Sequence, residues 1–186
     1  MIYVVSLKDM NKDMRKEAQQ RLFSYGVKKR AWETEGCERL TASDVMSTIA
    51  TEEEKTLVIE KNERGKPYVL GNPWYFNVSH SGNYLAMVFS QSECGIDIQK
   101  RKEVKNFLRM CAKFSCGEER TCLEVGECAF FDIWASKEAY GKCLGVGLTD
   151  EVLREHTWNG KKGFVFKQNP MWVDGYSFCV CYRVEA

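Results

Sequence analysis

The sequence predicts an α+β fold in which two helix-plus-strand units share one domain. Three observations predict it. Short β-type runs recur from one end of the chain to the other, at residues 1–7, 74–78, 84–90, 94–98 and 176–184. Helical signals fill separate blocks, over residues 8–50, 104–122 and 128–144. A turn that leads into an apolar strand occurs twice, as Ser81-Gly82-Asn83-Tyr84 and as Asp174-Gly175-Tyr176. This echo is compatible with two helix-plus-strand halves and a site between them, and equally with chance, since a turn before a strand is common.

The elements follow in order. Met1-Ile2-Tyr3-Val4-Val5 is a β-type run that ends before Lys8 and Asp9. Residues 8–50 read as two or three helices, one of them starting near Thr41-Ala42-Ser43-Asp44. Residues 51–55 are polar and acidic, and 56–60 form a short β-type run. Asn62-Glu63-Arg64-Gly65-Lys66-Pro67 is a loop cluster. The run at 84–90 is apolar throughout, which indicates burial on both faces. Lys100-Arg101-Lys102 follows the next strand as a basic knot. The strongest helix, 128–144, has Glu127 before it and Gly145 and Gly147 after it. Residues 163–166 and 176–184 are β-type.

Composition narrows the function classes. The chain has 186 residues, 44% of them hydrophobic and 28% charged, which is globular rather than disordered. Its formal charge of +1 gives no global field for nucleic acid or an anionic membrane. No apolar stretch reaches the length of a signal peptide core or a membrane span. The 9 cysteines include no CxxC pair, so buried reduced thiols in a cytoplasmic protein are the expectation, not zinc or a disulfide framework.

Four segments carry candidate chemistry. In Gly95-Ile96-Asp97-Ile98-Gln99, a strand puts Asp97 and Gln99 on one face and the isoleucines on the other. Two oxygen-bearing side chains there suit a hard cation such as Mg²⁺. In isolation the segment reads more simply as a solvated strand end. In Trp134-Ala135-Ser136-Lys137-Glu138-Ala139-Tyr140-Gly141-Lys142, a helix lines up Trp134, Glu138 and Lys142. Alone, that row is also an ordinary surface Glu–Lys pair. Asn77-Val78-Ser79-His80-Ser81-Gly82 reads as a strand end and turn whose amides and imidazole can hold an anion. A Ser–His hydrolase is discounted, since strand neighbours face opposite ways and no G-x-S-x-G elbow exists. Arg64-Gly65-Lys66-Pro67 offers a stiff loop with a lysine for phosphate, or an ordinary basic turn.

Taken together and in this order, G-K-P, N-V-S-H-S-G, G-I-D-I, W-x-x-K-E-A-x-x-K and G-x-G-L closely resemble the 4′-phosphopantetheinyl transferases. The similarity is to the larger type that activates surfactin-like synthetases, not to the short trimeric holo-acyl-carrier-protein synthases. It is clear from about residue 64 to 148 and weaker at 39–44 and 175–182. The resemblance implies two similar helix-plus-antiparallel-sheet halves, about 1–98 and 99–186, related by a pseudo-two-fold with the active site between them. It implies a monomer that transfers 4′-phosphopantetheine from coenzyme A to a serine of an apo acyl or peptidyl carrier protein. Adenosine 3′,5′-bisphosphate would be released. The alternative is a non-catalytic coenzyme A or carrier-binding module of the same fold.

By position, the resemblance makes Asp97, Gln99 and Glu138 the Mg²⁺ ligands, and Asp97, Glu138 and Lys142 the catalytic set. Ser79 and His80 would meet the 3′-phosphate of coenzyme A, Arg39 and Lys66 its phosphates and nucleotide, and Lys137 and Lys142 its pyrophosphate. Gln99 departs from the glutamate common in relatives, so weaker Mg²⁺ binding is expected. The carrier is expected to dock on residues 105–122, between the two metal segments.

Overall fold

A computed structural model describes residues 1–115, 117–124, 127–158 and 160–184. The first half contains β1 (Ile2–Ser6), α1 (Lys12–Lys28), β2 (Cys37–Leu40), α2 (Ala42–Met46), α3 (Glu52–Thr56), β3 (Ile59–Lys61), β4 (Pro67–Val69), β5 (Tyr75–Ser81) and β6 (Tyr84–Ser90). The second contains β7 (Cys94–Lys100), α4 (Phe107–Phe114), α5 (Glu118–Leu123), α6 (Glu127–Leu144), α7 (Asp150–Arg154), β8 (Phe164–Gln168) and β9 (Tyr176–Arg183).

The strands form a four-stranded sheet in the order β2-β1-β6-β5, a β3-β4 hairpin and a three-stranded sheet in the order β7-β9-β8. The uninterrupted apolar runs of β1 and β6 are explained by burial on both faces. Tyr3, Val5, Leu85, Met87 and Phe89 face Leu22 and Phe23 of α1. Their alternates Ile2, Val4, Ala86 and Val88 face Ile96, Ile98, Phe178 and Val180 of the second sheet. The far face of that sheet, through Cys179 and Cys181, carries Ala135 and Ala139 of α6. The order through the molecule is therefore α1, sheet, sheet, α6.

The fold is α+β, as expected, but several local assignments shift. The block read as all helical contains β2, which pairs parallel to β1, so the first sheet is not wholly antiparallel. The acidic stretch is the short helix α3, started by Thr51, whose hydroxyl accepts from the Glu54 amide at 3.0 Å. The loop cluster at 62–67 passes into β4, and α7 carried no sequence assignment. Most consequential for the site, β5 does not end at Val78 but continues through Ser79, His80 and Ser81.

Candidate active site

The site begins at a seam between the two sheets. One edge of β7 pairs with β9 along its whole length. Its other edge faces β5, which supplies side chains rather than a backbone ladder. Asn77 Oδ1 accepts from the Ile96 amide at 3.0 Å, Ser79 Oγ from the Ile98 amide at 3.3 Å, and Ser81 Oγ from the Lys100 amide at 2.9 Å. Every second residue of β5 thus satisfies every second amide of β7, as the period of two requires. Between them Val78 packs into the first core and His80 is exposed.

This seam delivers Ser79 to Asp97. Ile96 and Ile98 are buried between the sheets, so Asp97 and Gln99 face the other way. Asp97 is only 1% exposed, yet its carboxylate is fully served. Oδ1 accepts from Lys142 Nζ at 2.6 Å and from the Ser79 hydroxyl at 2.8 Å, and Oδ2 accepts from the Gln99 amide at 2.9 Å. Lys142 also donates to Ser79 Oγ at 3.2 Å. The serine proton goes to Asp97, which leaves the serine oxygen free to accept from Lys142 and from the Ile98 amide.

Helix α6 reaches this cluster because Gly95 lets it. A Cβ at Gly95 would lie 2.0 Å from the Ala139 carbonyl oxygen and 2.4 Å from the Cys143 nitrogen. Only a bare backbone allows helix and strand to approach so closely. Glu138 and Lys142, one turn apart, share the face of α6 turned to Asp97. The Glu138 carboxyl is raised above its ordinary value, first by burial and then by the Asp97 charge, with Lys142 pulling the other way. Two carboxylates against one ammonium leave negative charge that a cation would relieve.

Asp97, Glu138 and the Gln99 carbonyl are hard oxygen donors, the chemistry Mg²⁺ takes alongside water and phosphate oxygens. The set offers two carboxylates, not three. Among the described residues no group of three or more His, Cys, Asp or Glu is placed to hold a metal.

Four expected site residues lie away from this cluster. Lys137 does not face this cluster. Its ammonium is wholly buried on another side of α6, 2.8 Å from Glu119 of α5, because the residue before Glu138 is rotated about 100° around the helix. Lys66 donates to the carbonyls of Cys143 at 2.9 Å and Cys94 at 3.1 Å, so it caps the last turn of α6 where the helix dipole favours a cation. Arg39 is exposed and donates to the Trp172 carbonyl at 2.6 Å. His80 points away from Ser79, since they are strand neighbours.

Sequence reasoning missed the structural work of Asn77 and Ser81. The signal was present as Asn-x-Ser-x-Ser, with polar residues at the strand period, but it reads equally as a turn. Arg101, read only as part of a basic knot, ties Ser177 at 3.0 Å and Asp132 of α6 at 3.3 Å. Beside Gln99 opens a cleft of about 500 Å³, floored by Met110, Phe130, Phe131 and Trp134 and rimmed by Lys102 and Lys105.

Known proteins resemble the chain in this region. The profile of the 4′-phosphopantetheinyl transferase superfamily matches residues 93–180, which contain Asp97, Glu138 and Lys142. The 4′-phosphopantetheinyl transferase gsp of Aneurinibacillus migulanus is 26% identical over 92% of this chain and 77% of its own length. The 4′-phosphopantetheinyl transferase AcpT of Salmonella typhi is 39% identical over 45% of this chain and 47% of its own. The human L-aminoadipate-semialdehyde dehydrogenase-phosphopantetheinyl transferase is 30% identical over 63% of this chain and 45% of its own. The chain thus spans less than half the length of the last two relatives, and about three quarters of that of the first.

Proposed function

We propose that the chain, which matches the 4′-phosphopantetheinyl transferase superfamily over residues 93–180, is an enzyme of that family and moves the 4′-phosphopantetheine group of coenzyme A onto a serine of an apo carrier protein. The observation that carries this reading is the Asp97–Lys142 pair with Glu138 and Gln99 beside it, Gln99 also lining a cleft. A binding-only protein has no need to hold a carboxylate and an ammonium together out of water.

In the proposed reaction the carrier serine oxygen forms a bond to the phosphorus that bears pantetheine. The anhydride bond to the adenylate side breaks, and adenosine 3′,5′-bisphosphate leaves with the electron pair. Glu138 takes the serine proton, directly or through a water, and its raised proton affinity suits that role. Lys142 has three donors, so it can hold Asp97 and still place a hydrogen on a phosphate oxygen where charge develops. Bound Mg²⁺, held by Asp97, Glu138 and Gln99, would neutralise the pyrophosphate. Exposed Arg39 and His80 are available to the outer phosphates. Ser79 and Lys66 reach them only by giving up present partners.

A carrier must dock near the cleft. The segment 105–122 supports that place: Leu108 of α4 is 81% exposed, and Lys105, Arg109 and Lys113 stand exposed around it. An acidic carrier with an apolar contact would complement it. We propose that the protein acts as a monomer. No helix among the described residues is long and apolar enough to cross a membrane.

The test is direct. The protein, coenzyme A, Mg²⁺ and apo acyl and peptidyl carriers are incubated, and the carriers are weighed by mass spectrometry. One added phosphopantetheine is expected, and Asp97→Ala and Glu138→Ala should abolish it in folded protein. No gain on any carrier, with coenzyme A still bound, would point instead to a binding module. Full activity in either variant would refute the assigned site.

A further inference from the structure

Lys137 and Glu119 are both wholly buried and meet at 2.8 Å. The pair is not isolated. Glu119 Oε1 accepts from the Thr157 amide at 2.8 Å and from its hydroxyl at 3.4 Å. Lys137 also donates to the Glu155 carbonyl. The hydroxyls of Ser136 and Thr157 lie 2.6 Å apart. One polar network therefore joins α5, α6 and the segment after α7.

The elements it joins are weak on their own. Helix α4 has 8 residues and α5 has 6, and neither has a side-chain N-cap bond. Helices this short do not hold themselves in water. Aromatic and aliphatic contacts do press them onto α6, through Cys111, Phe114, Leu123 and Phe130. Such contacts are not directional and tolerate sliding and rotation. A buried ion pair is directional, and its clearest uses are to select one register among several. Here the register matters, because α4 supplies Met110 to the wall of the cleft beside Gln99, opposite Phe130, Phe131 and Trp134 of α6.

We propose that Lys137 and Glu119 are positioning residues that latch the α4–α5 segment onto α6 and so set the carrier-side wall of the cleft. Lys137 does this in place of touching a phosphate. The proposal rests on the transferase reading for its functional consequence, but the latch itself has a readout that needs no transfer.

The experiment compares wild type, Lys137→Met and the paired replacement Lys137→Met/Glu119→Leu. The single change strands a buried carboxylate and should lower Tm by about 10 °C. The paired change removes both charges, and Tm should return to within about 3 °C of wild type. In that folded double variant, hydrogen exchange in residues 107–114 and 118–123 should quicken about tenfold. KM for the carrier should rise about tenfold, while the affinity for coenzyme A stays within about twofold. Unchanged exchange and unchanged carrier KM would overturn the latch. So would lost coenzyme A affinity with unchanged exchange, which would put Lys137 on a phosphate. If the double variant does not fold, Glu119→Gln keeps the acceptor for Thr157 and is read in the same way. A wild type that transfers nothing refutes the transferase reading alone, since the exchange data still decide the latch.

Discussion

The Asp97–Lys142 pair predicts a measurable coupling in folding stability. Exposed ion pairs contribute about 0–1 kcal/mol. Removing one partner of a fully buried pair costs about 3–5 kcal/mol. Asp97 is 1% exposed and Lys142 26%, at 2.6 Å, which places this pair between those limits. A coupling of about 2 kcal/mol is the expected value. Asp97→Asn should cost about 3 kcal/mol, because the bonds from Ser79 and Gln99 also lose their charged acceptor. At roughly 2–4 °C per kcal/mol for a chain of this size, Tm should fall by about 6–12 °C. Lys142→Met leaves a buried carboxylate with two neutral donors and should cost about 2–3 kcal/mol. The double variant should then be about 2 kcal/mol more stable than the sum of the single losses implies. The assay is urea unfolding followed by tryptophan fluorescence, in metal-free buffer. A coupling under about 0.5 kcal/mol, the level of additive distant sites, would refute the reasoning.

Three further outcomes are expected. Glu138→Gln should abolish transfer yet stabilise the metal-free protein. The Glu138 carboxyl binds its proton more tightly folded than unfolded, so ionised Glu138 costs stability above both values. The advantage of the glutamine should therefore grow as pH rises through that window and vanish below about pH 4; melting curves across pH that show no such trend count against the assignment. Asn77→Ala strands the Ile96 amide inside the seam and should cost about 1–3 kcal/mol, measured by the same urea titration; a loss below about 0.5 kcal/mol would mean the amide finds water. Gln99→Glu adds a charged ligand, and the Mg²⁺ concentration for half-maximal transfer should fall; an unchanged Mg²⁺ requirement would remove Gln99 from the metal site.

Much of this molecule was legible residue by residue. The alternation of Ile96, Asp97, Ile98 and Gln99 required one apolar and one polar face, and the second sheet has them. The spacing of Glu138 and Lys142 placed them on one helical face, since four residues make about one turn. The double-sided apolar run of β6 required a sheet covered on both sides. Other features depended on what lay across the gap. Ser79, His80 and Ser81 read as a turn because serine and glycine favour turns, and it is their ladder with β6, together with the bonds of Ser79 and Ser81 to the β7 amides, that holds them extended. Strand β2 lacks apolar alternation, so its parallel pairing with β1 could not be seen locally.

The sequence alone determined the α+β class, the two carboxylate segments and which faces of their elements carry Asp97, Gln99, Glu138 and Lys142, because backbone periodicity fixes direction within an element. Only the tertiary structure decided which of the lysines meets Asp97. Lys137 and Lys142 are equally basic and lie on the same helix, and both looked fit for a pyrophosphate. The packing of α6 on Gly95 turned Lys142 toward Asp97, and the same rotation drove Lys137 into the partner waiting on α5. A charge takes its role from what lies opposite it, and the long-range contacts that set this are invisible to local pattern.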